Sequence, residues 1–266
     1  MKNKVSLKFV GWAFLVAWTC WFALVVLVNH HLAKYGDLLF MSLYLIGGIC
    51  PSIAGVIAIR TDKAAFAILK AETFRFKVNV LWYAGIILVP VLLSGVAWLL
   101  HFIILGRTGP FITNSIWAGI LILPVMIIGG GTEEIGWRGV LLPKLLNQMP
   151  AFKATAIVAG IWGMWHVPLW FIQGVPQYGS NFILFICGTF SMSFLLTIIY
   201  VRTKSVFICI LFHAIANAYL YIGFDSWPRD ITGSIIVAAT ALTISIVIFN
   251  ISTAMRWQPR PQTKSK

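Results

Sequence analysis

Acidic residues are scarce in this sequence: only seven of its 266 residues are Asp or Glu, and charged residues of both signs make up 10%. The chain therefore lacks the polar surface that a water-soluble domain of this length needs. Hydrophobic residues account for 60% of the chain, and the mean hydropathy is +0.91. We therefore predict an integral membrane protein.

Cysteine is also rare, and none of the four cysteines stands in a C-x-x-C pair. Cys20, Cys50, Cys187 and Cys209 lie separately inside apolar runs. This spacing argues against a metal knuckle and a disulfide framework, so we interpret the cysteines as small buried hydrophobic residues. Hydrophilic stretches are few as well: residues 60–79 and the tail after Arg256 are the only sizeable ones, and we predict no soluble domain.

Long apolar runs occupy most of the remaining sequence. A membrane-spanning helix needs about 20 predominantly apolar residues. The sequence offers eight such runs: Phe9–Val28, Leu38–Ile59, Val80–Leu105, Ile112–Gly131, Ala154–Ile172, Asn181–Val201, Val206–Phe224 and Thr232–Met255. The predicted fold class is all-α: a polytopic transmembrane bundle of about eight spanning helices, with residues 1–266 as a single integral membrane domain.

Basic residues are distributed unevenly between the two sides of such a bundle. With the N-terminus inside, 17 of the 20 Lys and Arg residues fall on the inner side, and the other side keeps only Lys34, Arg107 and Arg229. This bias predicts a multi-pass protein with both termini in the cytoplasm. The net charge of +13 then fits a surface that faces anionic lipid, and it gives no reason to expect nucleic acid.

A cluster of charge follows the fourth apolar run, in the stretch GTEEIGWRGV from Gly131 to Val140. Glu134 and Arg138 are four residues apart, a spacing that favours an ion pair on a helix. Glu133 is turned about 100° away from that pair and has no partner on its own helix. The cluster is either a solvated helix end or one paired and one unpaired carboxylate inside the membrane, where charged residues usually carry function. The segment that follows it, from Arg138 to Pro150, is amphipathic and either lies at the interface or continues the fourth helix past a kink.

Two later runs contain the polar residues that decide between these interpretations. His166 lies in the fifth run, about twelve residues from its start, and His213 and Asn217 share one face of the seventh. A single intramembrane histidine is more often a packing residue than a ligand. Two histidines, an amide and an unpaired carboxylate on helices that can face one cavity predict a catalytic site inside the bundle that opens to the cytoplasm.

Hydrolysis uses this set of side chains. A carboxylate can take a proton from water, and an imidazole can orient the water, bind a metal or protonate a leaving amine. The amide of Asn217 can donate a hydrogen bond to a developing oxyanion. The residues therefore favour peptide hydrolysis inside the membrane.

The order and spacing of these residues resemble a known family. Glu133-Glu134-x-x-x-Arg138, an aromatic residue four positions before His166, and His213-x-x-x-Asn217 are similar to the motifs of the CPBP family. These are the CAAX proteases and bacteriocin-processing enzymes, also called the Abi family, and they include the type II CAAX prenyl endopeptidases. The resemblance covers about 112–223, the catalytic core. It departs at Trp162, which stands where the family pattern has Phe, and whose indole N–H needs a partner.

The resemblance also implies roles for individual residues. Glu133 is expected to activate water, with His166 holding that water or a metal. His213 and Asn217 are expected to stabilise the oxyanion, while Glu134 and Arg138 support the site. A zinc-dependent and a metal-free mechanism both remain open. Glu133, His166 and His213 are the three side chains that can supply zinc ligands, with water as the fourth.

The expected activity is that of an intramembrane metallo- or glutamate-dependent endopeptidase. It would cleave near the C-terminus of a protein, prenylated or not, or in a leader or bacteriocin-type peptide, with the substrate presented from the cytoplasmic side of the lipid bilayer. The alternatives are a non-proteolytic membrane scaffold, a bacteriocin immunity factor and a proton-coupled transporter. A transporter is the least favoured, because the sequence shows no inverted repeat.

Overall fold

The computed structural model of the protein describes residues 4–106, 109–223 and 231–253, and the regular structure of these residues is helical. The α-helices are α1 Lys4–Asn29, α2 Leu38–Ile59, α3 Lys63–Thr73, α4 Val80–Leu105, α5 Ile116–Gly129, α6 Glu134–Gly136, α7 Leu142–Leu146, α8 Ala151–Trp165, α9 Phe182–Thr203, α10 Val206–Ile222 and α11 Ile231–Thr253. The prediction of a helical bundle is confirmed.

Seven helical segments are long and apolar enough to cross a membrane: Val5–Asn29, Leu38–Ile59, Val80–Leu105, Ile116–Leu146, Ala151–Phe171, Phe182–Thr203 and Ile231–Ser252. The remaining predicted run, Val206–Phe224, corresponds to α10, which is apolar but has only 17 residues. The segment Ile116–Leu146 includes the amphipathic stretch after the fourth run, so that stretch continues the helix. The part of it from Trp137 to Pro143 is buried.

The connection between α2 and α4 contains a helix that the hydropathy pattern did not predict. Asp62 caps α3 by accepting a hydrogen bond from the backbone N–H of Ala65 at 3.0 Å. Leu69 and Glu72 are buried on one face of α3. An eleven-residue helix with mixed charge is too short for a search that looks for spans of about 20 apolar residues.

The prediction for the cysteines is half correct. All four are free, and Cys50 and Cys209 are buried, but Cys20 and Cys187 are only partly buried. The predicted orientation of the termini stays a prediction. It also draws on basic residues that lie outside the described ranges: Lys2, Arg107, Arg229, Arg256, Arg260, Lys264 and Lys266.

Close backbone approach brings α2 against the short helices that follow α5. The hydroxyl of Ser52 in α2 donates to the carbonyl oxygen of Thr132 at 2.5 Å. A Cβ on Gly136 would collide with the carbonyl oxygen of Pro51, and a Cβ on Gly55 would lie 3.0 Å from the Cα of Gly136. Glycine at 136 therefore permits α2 to cover the charged cluster and to exclude lipid from that side.

Candidate active site

The charged cluster begins where α5 ends. Gly130 leaves the helical conformation, with φ −136° and ψ −54°, and residues Gly131–Glu133 form a 3₁₀ turn. A Cβ on Gly130 would lie 2.8 Å from Nδ2 of Asn217 and 3.4 Å from Nε2 of His213. Helix unwinding and close approach therefore occur at one glycine, which faces the two polar residues of α10.

Glu133 occupies the end of this turn and is 4% exposed. The indole Nε1–H of Trp162 in α8 donates to its Oε2 at 2.7 Å. This hydrogen-bond donor lies 29 residues further along the chain than Glu133. The indole N–H that needed an acceptor and the carboxylate that lacked a donor satisfy each other.

Glu134 is fully buried and has two partners. Arg138 Nη1 lies 3.0 Å from its Oε2, so the ion pair that the spacing predicted is present. His213 Nδ1 lies 2.8 Å from its Oε1. Because a carboxylate can only accept, Nδ1 of His213 carries the proton and donates it. The other ring nitrogen of His213, Nε2, lies beside Gly130.

Arg138 lies in a π-helical turn, Trp137–Leu141, and not in a regular α-helix. Three groups contact its guanidinium. Besides Glu134, it contacts the hydroxyl of Ser193 in α9, to which Nη2 donates at 2.7 Å. Its guanidinium carbon lies 4.9 Å from the centre of the Trp162 ring. The sequence did not predict Ser193, because nothing distinguishes it from Ser191, which contacts Ser245 instead.

His166 lies at the end of α8 and inside the predicted fifth span, since Ala151–Phe171 is long and apolar enough to cross a membrane. The helix α8 ends at Trp165, His166 follows it as the cap, and Val167–Phe171 form a 3₁₀ turn. His166 Nδ1–H donates to the carbonyl oxygen of Trp162 at 2.8 Å. Pro168 explains why the α-helix ends here, because the residue before a proline is disfavoured in the α conformation.

Trp162 is the residue that links the predicted site together. It donates to Glu133, accepts from His166 through its carbonyl oxygen, lies against Arg138 with its ring face, and meets His213 edge to face at a ring distance of 5.3 Å. Asn217 is half-buried. Among the contacts of the described residues, its side chain makes no hydrogen bond, so its amide is available to a ligand.

Among residues 4–106, 109–223 and 231–253, no group of three or more His, Cys, Asp or Glu side chains can hold a metal ion. Glu133, His166 and His213 are close to Trp162 but are not grouped around a common point. Dependence on zinc therefore stays a prediction, and the chemistry below uses only the side chains of this chain.

Comparison with known proteins points to one family. The family model described as "Type II CAAX prenyl endopeptidase Rce1-like" matches residues 115–219. A curated protein from Methanococcus maripaludis, CAAX prenyl protease 2, is 30% identical over 106 residues, which cover 36% of this chain and 38% of the relative. The match thus spans little more than a third of that relative's own length.

The seven predicted site residues all lie inside the matched segment, between Glu133 and Asn217. The helices that carry them are α6, α8 and α10 together with the turns at their ends, and the described contacts bring those helices to one place. Residues 115–219 of this chain are therefore similar to the Rce1-like type II CAAX prenyl endopeptidases.

Proposed function

We propose that this protein is an intramembrane endopeptidase that hydrolyses a peptide bond near the C-terminus of its substrate. One observation carries the proposal: Glu133 is a buried carboxylate held by a neutral donor, whereas the neighbouring Glu134 has the cation. A carboxylate in an ion pair is stabilised in its charged form and is a poorer base. Glu133 is fixed in place but keeps its capacity to take a proton.

The first step is the activation of water. Trp162 occupies Oε2 of Glu133, so Oε1 is the oxygen that accepts a proton from a bound water. His166 donates its Nδ1 proton to a backbone carbonyl, and its Nε2 therefore carries a lone pair that can accept a hydrogen bond from the same water. The water oxygen then attacks the carbonyl carbon of the scissile peptide bond while its proton passes to Glu133.

The second step is the stabilisation of the oxyanion that this attack creates. Asn217 Nδ2 and His213 Nε2 both lie beside Gly130, where the absence of a side chain leaves room for the substrate carbonyl. Glu134 accepts from Nδ1 of His213, and a ring that is protonated on both nitrogens donates from Nε2 as well. Two donors aimed at one oxygen in a site that excludes water provide the usual stabilisation of a tetrahedral intermediate.

The intermediate then breaks at its C–N bond. Glu133 returns its proton to the leaving nitrogen, and the products are a new C-terminal carboxylate and a free amine. Arg138 takes no part in this transfer. Its contacts with Glu134, Ser193 and the face of Trp162 hold the oxyanion residue and the indole donor in a fixed relation.

The substrate we propose is the C-terminal tail of a prenylated protein. The support is the name of the matching family and that of the relative, since both refer to CAAX prenyl proteases. The distribution of basic residues supports presentation of the tail from the cytoplasmic side of the bilayer. Both comparisons name proteases, so a role in bacteriocin immunity is not proposed.

The experiment that tests the proposal is a cleavage assay on the purified full chain in detergent. A panel of fluorogenic peptides with and without a prenyl group is offered to the wild type, to Glu133→Gln and to Glu72→Gln. Glu72 is the matched control, because it is also a buried carboxylate, 5% exposed, that accepts a hydrogen bond from the Tyr200 hydroxyl at 2.9 Å. A parallel series contains a metal chelator.

We expect turnover that Glu133→Gln abolishes and Glu72→Gln preserves. Preference for the prenylated peptides would support the proposed substrate, and cleavage of leader-type peptides alone would replace it. Loss of activity with the chelator would show that the mechanism also needs a metal. A folded wild-type protein that cleaves no peptide of the panel would overturn the protease proposal and favour a scaffold.

A further inference from the structure

A second surface with an unusual composition lies on α3 and on the turns that precede and follow it. Five basic side chains are exposed there: Arg60, Lys63, Lys70, Arg75 and Lys77. Three large aromatic side chains are exposed among them: Phe66 at 40%, Phe74 at 66% and Phe76 at 55%. We call these eight residues the α3 surface. In a chain with only 10% charged residues, this is a marked concentration of positive charge.

The opposite face of α3 is anchored to the bundle. Leu69 is buried with Ile59 and Val140, and a Cβ on Gly139 would collide with its side chain. Glu72 points inward, where its Oε2 accepts from the Tyr200 hydroxyl at 2.9 Å. The anchoring leaves Lys63, Phe66 and Lys70 on the outer face, since they follow at intervals of three and four residues.

The acidic side chains of α3 and its cap offset only part of the charge of the α3 surface, because Asp62 is exposed there beside five basic residues. Glu72 is buried, and the carboxylate of Asp62 caps the start of α3. Exposed phenylalanine beside lysine and arginine is costly on a surface that faces only water. The same combination is favourable at a bilayer surface, where aromatic rings enter the headgroup layer and basic groups meet lipid phosphates.

We propose that the α3 surface binds the headgroups of anionic phospholipids, with Phe66, Phe74 and Phe76 inserted among the lipids. The occupant follows from charge complementarity and from the apolar side chains, which a free phosphate ion would leave in water. The surface is separate from the proposed active site, because none of the described contacts joins its outer side chains to a catalytic residue. The proposal does not depend on proteolytic activity.

The test measures lipid binding directly by native mass spectrometry of the full chain in a neutral detergent. Phosphatidylglycerol is titrated against phosphatidylcholine, and a separate arm adds inorganic phosphate. The variant Lys63→Gln/Lys70→Gln/Arg75→Gln removes three positive charges from the α3 surface. The control variant Lys8→Gln/Lys34→Gln/Lys153→Gln removes three exposed positive charges elsewhere.

We expect the wild type and the control variant to retain phosphatidylglycerol over phosphatidylcholine, and the α3 variant to lose this preference by about tenfold or more. Each basic residue near an anionic surface contributes about fivefold at low salt, and screening lowers this value. The proposal is overturned by equal losses in both variants, which would reflect net charge alone. It is also overturned if the wild type shows no preference, or if inorganic phosphate displaces the lipid.

Discussion

Replacement of Trp162 by Phe tests how the base of the proposed reaction is held. The substitution retains an aromatic ring beside Arg138 and His213 but removes the indole N–H that lies 2.7 Å from Oε2 of Glu133. Hydrogen bonds to charged groups contribute about 1.5–3 kcal/mol, and about 1.36 kcal/mol corresponds to a factor of ten in rate. We therefore expect kcat to fall by about tenfold to a hundredfold, with KM nearly unchanged.

The control for this variant is Trp18→Phe. Trp18 is half-buried in α1, and its Nε1–H donates to the carbonyl oxygen of Trp165 at 3.1 Å. The same chemical group is removed, but it does not contact a catalytic residue. We expect a loss of stability of about 1 kcal/mol and a kcat close to that of the wild type.

A second replacement separates the hydrogen bond from the packing of the ring. Benzothienylalanine at position 162 keeps the shape of tryptophan and carries sulfur in place of the N–H. If the hydrogen bond fixes Glu133, this variant loses as much kcat as Trp162→Phe while its thermal stability stays closer to that of the wild type. Wild-type turnover by either variant would refute the reasoning.

Two further substitutions test the neighbouring contacts. Ser193→Ala removes a hydrogen bond from the buried guanidinium of Arg138, so its unfolding midpoint in denaturant should fall further than that of Ser191→Ala, which breaks a neutral bond between two hydroxyls. Equal decreases in the unfolding midpoint would show that the Ser193 hydroxyl does not stabilise the ion pair of Arg138. Gly130→Ala places a methyl group 2.8 Å from Asn217 Nδ2 and should lower kcat at least about tenfold, by the cost of a displaced oxyanion donor. Gly129→Ala meets nothing within 4 Å, and comparable turnover of both alanine variants would argue against the oxyanion site.

Local periodicity predicted most of the fold. Apolar runs of spanning length identified the long helices, and spacing on one helix predicted the Glu134–Arg138 pair. Pro168 is a sequence signal for the end of α8, because it disfavours the α conformation at Val167. The helix α3 had only a weak signal, since eleven residues of mixed charge resemble an ordinary hydrophilic loop.

Contacts between helices were beyond what periodicity can predict. The sequence showed that Glu133 lacked a partner and that the Trp162 indole needed one, but not that the two meet. Ser193 had no distinguishing signal, because a serine in an apolar helix can face any neighbour. Such pairings depend on how helices pack, and that is determined by many small contacts distributed along each interface.

The arrangement of charge around Trp162 gives its two neighbouring glutamates different roles. A buried ion pair contributes little net stability, but removing one partner costs about 3–5 kcal/mol. The pair of Glu134 and Arg138 therefore adds little to the net stability of the fold. Its effect on the site is to orient His213, which donates to Oε1 of Glu134. Glu133 lies beside the same cation without an ion pair to it in the described structure, because the Trp162 indole occupies its Oε2 and the Trp162 ring covers the guanidinium. In the proposed mechanism, one tryptophan thus keeps the carboxylate that exchanges a proton apart from the carboxylate that is paired with Arg138.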